Sequence, residues 1–251
     1  MAVMDEFKEE REALKHGTPK EKLSYFMDYY KWHVIIAALV IIAGIYTIQT
    51  ILSQKETVLY TCLLNTIELD ASEYNNAFVE LLGIDTEKYE LFFDTETRID
   101  FSSMDENTMA NSQKLIARLA AGELDIMLTD TDSLTNYAYQ GYFMTMNELL
   151  SHEQYETYKP YFYYIDLAAM EEWEAYLSDP NNLHLDHSYS FPDPRKPENM
   201  TAPTPVGIFM DDCETLKSCY HFKTDDVVFC VFANSSHTDT ALQYLDYLMQ
   251  E

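Results

Sequence analysis

An uncharged run of 19 residues, 34–52 (VIIAALVIIAGIYTIQTIL), limits what this chain can fold into more than any other feature. As a helix rising about 1.5 Å per residue it spans roughly 28 Å, close to the hydrocarbon thickness of a bilayer. Gly44, Thr47, Gln49 and Thr50 soften the run, but a helix satisfies its backbone groups internally. Tyr29, Tyr30, Lys31 and Trp32 stand just before it and Lys55 just after. These are the residue types that anchor at a lipid interface. A buried core helix is the alternative, and it accounts less well for the aromatic belt and the lysines. A cleaved signal peptide fits poorly, because the run is too long and no small-x-small site follows. Leu59-Tyr60-Thr61-Cys62 has the outline of a lipobox but lies beyond the run, without a small residue before Cys62. The segment therefore reads as an uncleaved signal anchor.

Positive charge sets the expected orientation. Residues 1–33 carry six basic side chains, and the first 30 residues after the span carry only Lys55. The N-terminus is expected in the cytoplasm and residues 55–251 outside, a single-pass protein of the cell membrane. The domains are then 1–33, a charged juxtamembrane piece, 34–52, the transmembrane helix, and 55–251, an extracytoplasmic domain. Thr18-Pro19-Lys20-Glu21 makes a good helix start. Leu23, Phe26, Met27 and Tyr30 follow at helical spacing. That stripe is either a juxtamembrane helix end or a docking helix for a membrane partner.

Acidity excludes one partner class. Of 43 acidic and 16 basic side chains, 36 and ten fall in residues 55–251. Nucleic acid is not an expected partner, because a phosphate backbone needs clustered Lys and Arg. Six glycines, none closer than 19 residues to the next, exclude both a GxGxxG fingerprint and a P-loop.

The outer domain alternates strand and helix signals. Residues 58–64 (VLYTCLL) form a continuous apolar run, the pattern of a buried strand. Asp70 and Glu73 have capping-box spacing before a helix stopped by Gly83. Residues 89–93 are a second strand, which 97–101 extend or pair with. Ser103 and Glu106 are a further capping box. They open a helix facing inward with Met109, Ser112, Ile116 and Leu119 and ending at Gly122. Residues 124–128 (LDIML) are a third strand. Strand, helix, strand, helix, strand implies right-handed crossovers and a mixed, largely parallel sheet flanked by helices, an α/β fold. Residues 133–141 read as a helix, 147–178 as helical, and 179–204, with five of eight prolines, as a long loop. Residues 206–210 and 226–232 are further strands, and Ser236 or Thr238 caps a final helix.

Three segments resemble extracellular solute-binding proteins of the type 2 periplasmic-binding fold. Residues 119–127 (LAAGELDIM) resemble that family's helix-Gly-x-x-Asp-strand junction. Residues 139–146 (YQGYFMTM) are similar to the stretch leading to the first lobe's edge. Residues 227–232 with 235–248 are similar to its late strand and helix. The family has two lobes, and this outer domain is too short for both, so the resemblance implies a single lobe or a trimmed second one within 147–204. The family's ligand contacts lie at strand carboxyl ends, as in open α/β sheets generally. Here the resemblance implies Asn65, Thr66, residues 129–132 with Asp130 and Asp132, and Asp211 and Asp212.

Other candidates carry two readings each. Asp132 is either a ligand contact or the cap of the helix at Ser133. Tyr137, Tyr142 and Tyr158 belong to a dense aromatic tract that either packs in the core or recognises a partner. Cys62 and Cys230 read as buried thiols, whereas Cys213 and Cys219 are a disulfide candidate across a short polar segment. His184, Asp186 and His187 read as loop polars rather than a metal site. Neither GxSxG nor HExxH occurs. The expected protein is a membrane-anchored, non-catalytic binding protein with no cofactor or metal, taking a small solute or a protein partner. An accessory or sensor subunit signalling through its transmembrane helix is the alternative; a carboxylate hydrolase is a more distant one.

Overall fold

A computed structural model describes residues 18–103, 105–178 and 190–250 of the chain. Residues 1–54 and 55–251 form two compact units. The first contains one helix, α1 (Pro19–Leu52), of 34 residues. Thr18 precedes it and Pro19 occupies its first position, where a missing N–H costs nothing. Its stretch Lys31–Ile51 has mean hydropathy 2.4 and is unburied, long and apolar enough to cross a membrane. The Thr47 and Thr50 hydroxyls donate to the carbonyls of Ala43 and Tyr46, one turn back, at 2.8 and 2.9 Å. Neither hydroxyl therefore needs water. Lys31 and Trp32 are exposed; the side chains of Tyr29 and Tyr30 lie outside the described residues.

The second unit is α/β. Its strands are β1 (Glu56–Leu63), β2 (Ile67–Glu68), β3 (Tyr89–Asp94), β4 (Ile126–Asp130), β5 (Phe162–Asp166), β6 (Pro203–Phe209), β7 (Tyr220–His221) and β8 (Val227–Val231). Its main helices are α2 (Ser72–Leu82), α3 (Glu106–Ala121), α4 (Thr131–Ala138), α5 (Met146–Leu149), α6 (His152–Tyr158), α7 (Leu167–Ser178), α8 (Glu214–Cys219) and α9 (Thr238–Met249). Six strands form one sheet in the order β3-β1-β4-β8-β6-β5, and β2 pairs β7 separately.

The sheet is mixed, but it is not largely parallel. β3, β1 and β4 run parallel, while β4–β8, β8–β6 and β6–β5 pair antiparallel. The reason is connectivity. Helices α2 and α3 carry the chain back for β3 and β4, whereas residues 210–226 return it at the same sheet edge from β6 to β8. A buried run such as Val227–Val231 has no polarity of its own, so its sequence is silent on direction.

Side chains alternate between two cores. Leu59, Leu63, Ile126, Leu128 and Phe229 meet α2 and α9 on one face. Tyr60, Cys62, Met127, Val228 and Cys230 meet α3 and α4 on the other. Burial on both faces explains why these strands read as unbroken apolar runs.

Several local expectations are corrected. Residues 147–178 are not one helical stretch. Capping boxes at Thr145/Glu148 and Ser151/Gln154 open short helices, and Pro160 sits in a 3-10 turn. Phe162–Asp166 then becomes the edge strand β5, paired to β6. Its aromatic and β-branched residues suit a pleated surface better than a helix. Residues 97–101 form no strand; the Asp94 carboxylate holds their start by accepting from the Thr97 amide and hydroxyl at 3.1 and 2.8 Å. Helix α2 starts after Ala71 without a side-chain cap. Helix α3 is capped by Asp105, which accepts from the Thr108 amide. Helix α9 begins at Thr238 with His237 in the cap position, so neither Ser236 nor Thr238 is its cap. Met109 and Ile116 are exposed rather than inward; Thr108 and Leu115 are the buried α3 residues. Gly83 and Gly122 do end α2 and α3, at φ 61° and 70°.

Candidate functional site

The two crossovers create a crevice. β1 leads through α2 to β3 on one side, and β3 leads through α3 to β4 on the other. Phe78 of α2 and Leu115 of α3 accordingly lie in opposite cores. Where neighbouring connections leave a sheet on opposite faces, a cleft opens at the strand carboxyl ends. Here that point lies between β1 and β4, beside a polar cleft of about 960 Å³.

Asn65 builds its floor. It is the one non-glycine residue with positive φ among the described residues, at 59°. That conformation is uncommon outside glycine, and Asn tolerates it best. Its Nδ2 donates to the Ile99 carbonyl at 3.0 Å and the Ser133 hydroxyl at 2.9 Å, and its Oδ1 accepts from the Ile99 amide at 2.8 Å. One side chain thus ties the end of β1 to the loop after β3 and to the start of α4. Asp132, Asn136, Asn107, Arg98 and Lys223 line the walls. The Asn136 side-chain nitrogen donates to the Asp132 carbonyl at 2.9 Å. Asp100 is held below the carboxylate value of 3.8 by the hydroxyl and amide of Ser102, with Lys223 adding a smaller attraction.

The structure separates the expected ligand residues. Asn65 and Asp132 line the cleft. Asp130 is fully buried and is the cap of α4, accepting from the amide and hydroxyl of Ser133 at 3.0 and 2.9 Å. The cap is therefore Asp130, not Asp132, because the helix begins two residues earlier than its apolar pattern suggests. Thr66 is buried, its hydroxyl donating to the Leu64 carbonyl. Asp211 and Asp212 do not line the cleft. Arg195 stacks on the Phe209 ring at 3.5 Å and donates to both Asp211 oxygens at 2.8 and 2.9 Å and to Asp226 at 2.9 Å. Asp212 accepts from the Tyr161 hydroxyl, which that bond holds above its ordinary value.

The aromatic candidates divide likewise. Tyr137 and Tyr158 are buried in the two cores, and Tyr158 donates to Asp246 at 2.6 Å. Tyr142 lines a separate, mostly apolar cavity of about 380 Å³ beside Ile116 and Leu119. All four cysteines are buried. Cys213 and Cys219 bracket α8, a separation of about 9 Å along a helix, beyond disulfide reach. Burial pushes the Cys62 and Cys230 thiols far up. His184, Asp186 and His187 lie outside the described residues.

Sequence reading missed a buried carboxylate that joins distant segments. Asp125, 1% exposed, accepts from the Tyr60 amide at 2.8 Å and the Ser235 hydroxyl at 2.6 Å, and both its oxygens lie 3.1 Å from His237 Nδ1. Its signal was the Gly122-x-x-Asp125 spacing before β4. It stands at the amino ends of β1 and β4, opposite the cleft, and there it knots three segments.

Acid sensitivity follows from three carboxyls held low. Burial pushes Asp166 up, but the amides of Thr201, Ala202, Ala168 and Ala169 outweigh it and leave it below 3.8. Lys196 and the Arg195 amide lower Asp193. A carboxyl with a lowered folded value stabilises the fold above its unfolded value and loses that contribution as pH falls through the folded one. The melting temperature is expected to be insensitive to these groups above about pH 5 and to fall below about pH 3.8, with Asp166→Asn shallowing the acid limb. Thermal unfolding followed by circular dichroism across that range measures it; an unchanged acid limb in the variant would contradict the assignment.

Compared with protein-family models, with curated proteins and with solved structures, the chain matches none. The geometry of the cleft and the chemistry of its lining therefore carry the functional argument.

Proposed function

We propose that the chain is a membrane-anchored, non-catalytic binding protein whose outer domain takes a small polar solute in the cleft between β1 and β4. One observation carries this reading: a cleft of about 960 Å³ lies at the topological switch point, walled by amide, carboxylate and cationic side chains. Volumes of a few hundred to about 1,000 Å³ suit small ligands. Glu96, Asp100, Asp105 and Asp132 outnumber Arg98 and Lys223 there. The surplus of acid disfavours anionic solutes and favours neutral or zwitterionic ones, which Asn107 and Asn136 can hydrogen-bond. The resemblance to a solute-binding lobe points the same way, as does the location beyond strand carboxyl ends.

The test is a thermal-shift screen of the full chain in mild detergent against sugars, amino acids and short peptides. A ligand at about 100 times its dissociation constant stabilises by roughly 2.7 kcal/mol, or about 5–10 °C for a domain near this size. Asp132→Ala and Asn136→Ala should abolish the shift while leaving the unliganded melting temperature nearly unchanged. No shift with any member of the panel would defeat the solute reading.

A further inference from the structure

The two edges of the large sheet are treated differently. At β5 the outer side is covered by the segment before β6: the Tyr164 amide donates to the Pro194 carbonyl at 3.1 Å. At β3 it is open. The Glu56 amide donates to the Lys88 carbonyl at 2.8 Å, so residues 88, 90 and 92 turn their main chain toward β1. Main-chain groups of one strand residue point the same way, so those of Leu91 and Phe93 face outward. Among the described residues nothing outside β1 pairs with them. The Tyr89 amide is taken by the Asp85 carbonyl, which marks where the open stretch begins.

Beside this edge lies a recess. Phe92 is 42% exposed and, with Tyr60, Thr57, Arg118 and His237, lines a cavity of about 420 Å³. Its ring packs against Tyr60 at 4.9 Å, and Arg118 covers Tyr60 from 4.9 Å. The recess is large enough to receive one side chain of an added strand.

Charge selects the occupant. Glu56, Glu87, Glu90 and Glu96 are exposed along or beside β3 and outnumber the exposed lysines there, Lys55 and Lys88, of which Lys88 pairs with Asp85 at 3.1 Å. A second copy of this chain would bring the same acids to the same edge, and like charges across adjacent strands repel. The charges that blunt self-association favour a strand of opposite sign.

We propose that the outer edge of β3 is a docking site for an extended, basic segment of a partner protein, added to the sheet as a further strand. Main-chain bonds to Leu91 and Phe93 would supply register, the recess beside Phe92 would receive an apolar side chain, and Glu90 would face lysine or arginine. This surface is distinct from the cleft between β1 and β4.

The test uses the full chain in detergent and three short labelled peptides: one repeating lysine-threonine-valine-threonine, so that lysine and valine share a face as Glu90 and Phe92 do, one with glutamate in place of each lysine, and one with the same lysines but interrupted by prolines. The lysine–valine peptide should bind at least about tenfold more tightly than either control, because only it combines charge with strand formation. Its binding should slow amide exchange at Leu91 and Phe93. Glu90→Lys should weaken it by about tenfold or more without moving the melting temperature. Equal binding of the proline-interrupted peptide, unchanged exchange at Leu91 and Phe93, or a peptide-free dimer protecting those same amides would each overturn the proposal.

Discussion

Replacing Asp125 with alanine is expected to cost the outer domain about 3–5 kcal/mol, the range for removing one partner from a buried charged network. A domain of ordinary stability has only about 5–15 kcal/mol in total. The cost has an identifiable source. The carboxylate is 1% exposed and gathers the Tyr60 amide, the Ser235 hydroxyl and His237. Alanine would remove the acceptor from all three, and would leave the buried Tyr60 amide without one; an unmade buried hydrogen bond costs more than a made one contributes. Ser235→Ala removes a single bond and should cost about 1 kcal/mol. Urea unfolding of the full chain in detergent, followed by near-ultraviolet circular dichroism, compares the two variants. A loss below about 1 kcal/mol for Asp125→Ala would mean that the knot does not hold the amino ends of β1 and β4 together.

Protease added to intact cells carrying the full chain is expected to remove residues 55–251 completely and to leave a small fragment containing α1. This outcome tests the proposed topology. The 34-residue helix includes a stretch of mean hydropathy 2.4 with no buried residue. Charged side chains near a bilayer centre cost about 2.5–3.5 kcal/mol each on insertion scales. Ile41→Arg together with Ile42→Asp is therefore expected to release much of the chain from the membrane fraction. Survival of residues 55–251 in intact cells, with loss after lysis, would place the acidic domain on the cytoplasmic side and reverse the proposed orientation.

The misread elements share a physical cause. Phe162–Asp166 lies among tyrosines and acids that also suit a helix, and only pairing with β6 makes it a strand. Asp130 and Asp132 both stand at a plausible helix start. Which one caps is decided by the burial of Asp130 against Ser133. Asn65 was legible as a strand-end residue, but its left-handed backbone and its hold on Ile99 and Ser133 depend on segments 34 and 68 positions away. Much of the cleft, Asn107, Asn136, Arg98 and Lys223 among it, gave no distinctive pattern, because scattered polar residues become a site only when loops converge.

What the amino-acid order determined alone is what local physics controls. An uncharged stretch long enough for lipid, glycine stops at Gly83 and Gly122, apolar runs that must be buried on two faces, and a strongly acidic segment 55–251 all follow from neighbours a few positions apart. Tertiary structure decided the rest: the insertion of β8 between β4 and β6, the open edge at β3, the identity of the capping aspartate, and the knot at Asp125. Each of these requires groups far apart in the chain to meet, as when Asp125 reaches Tyr60 across 65 positions. Sequence periodicity records which face of an element is buried, but not which other element buries it.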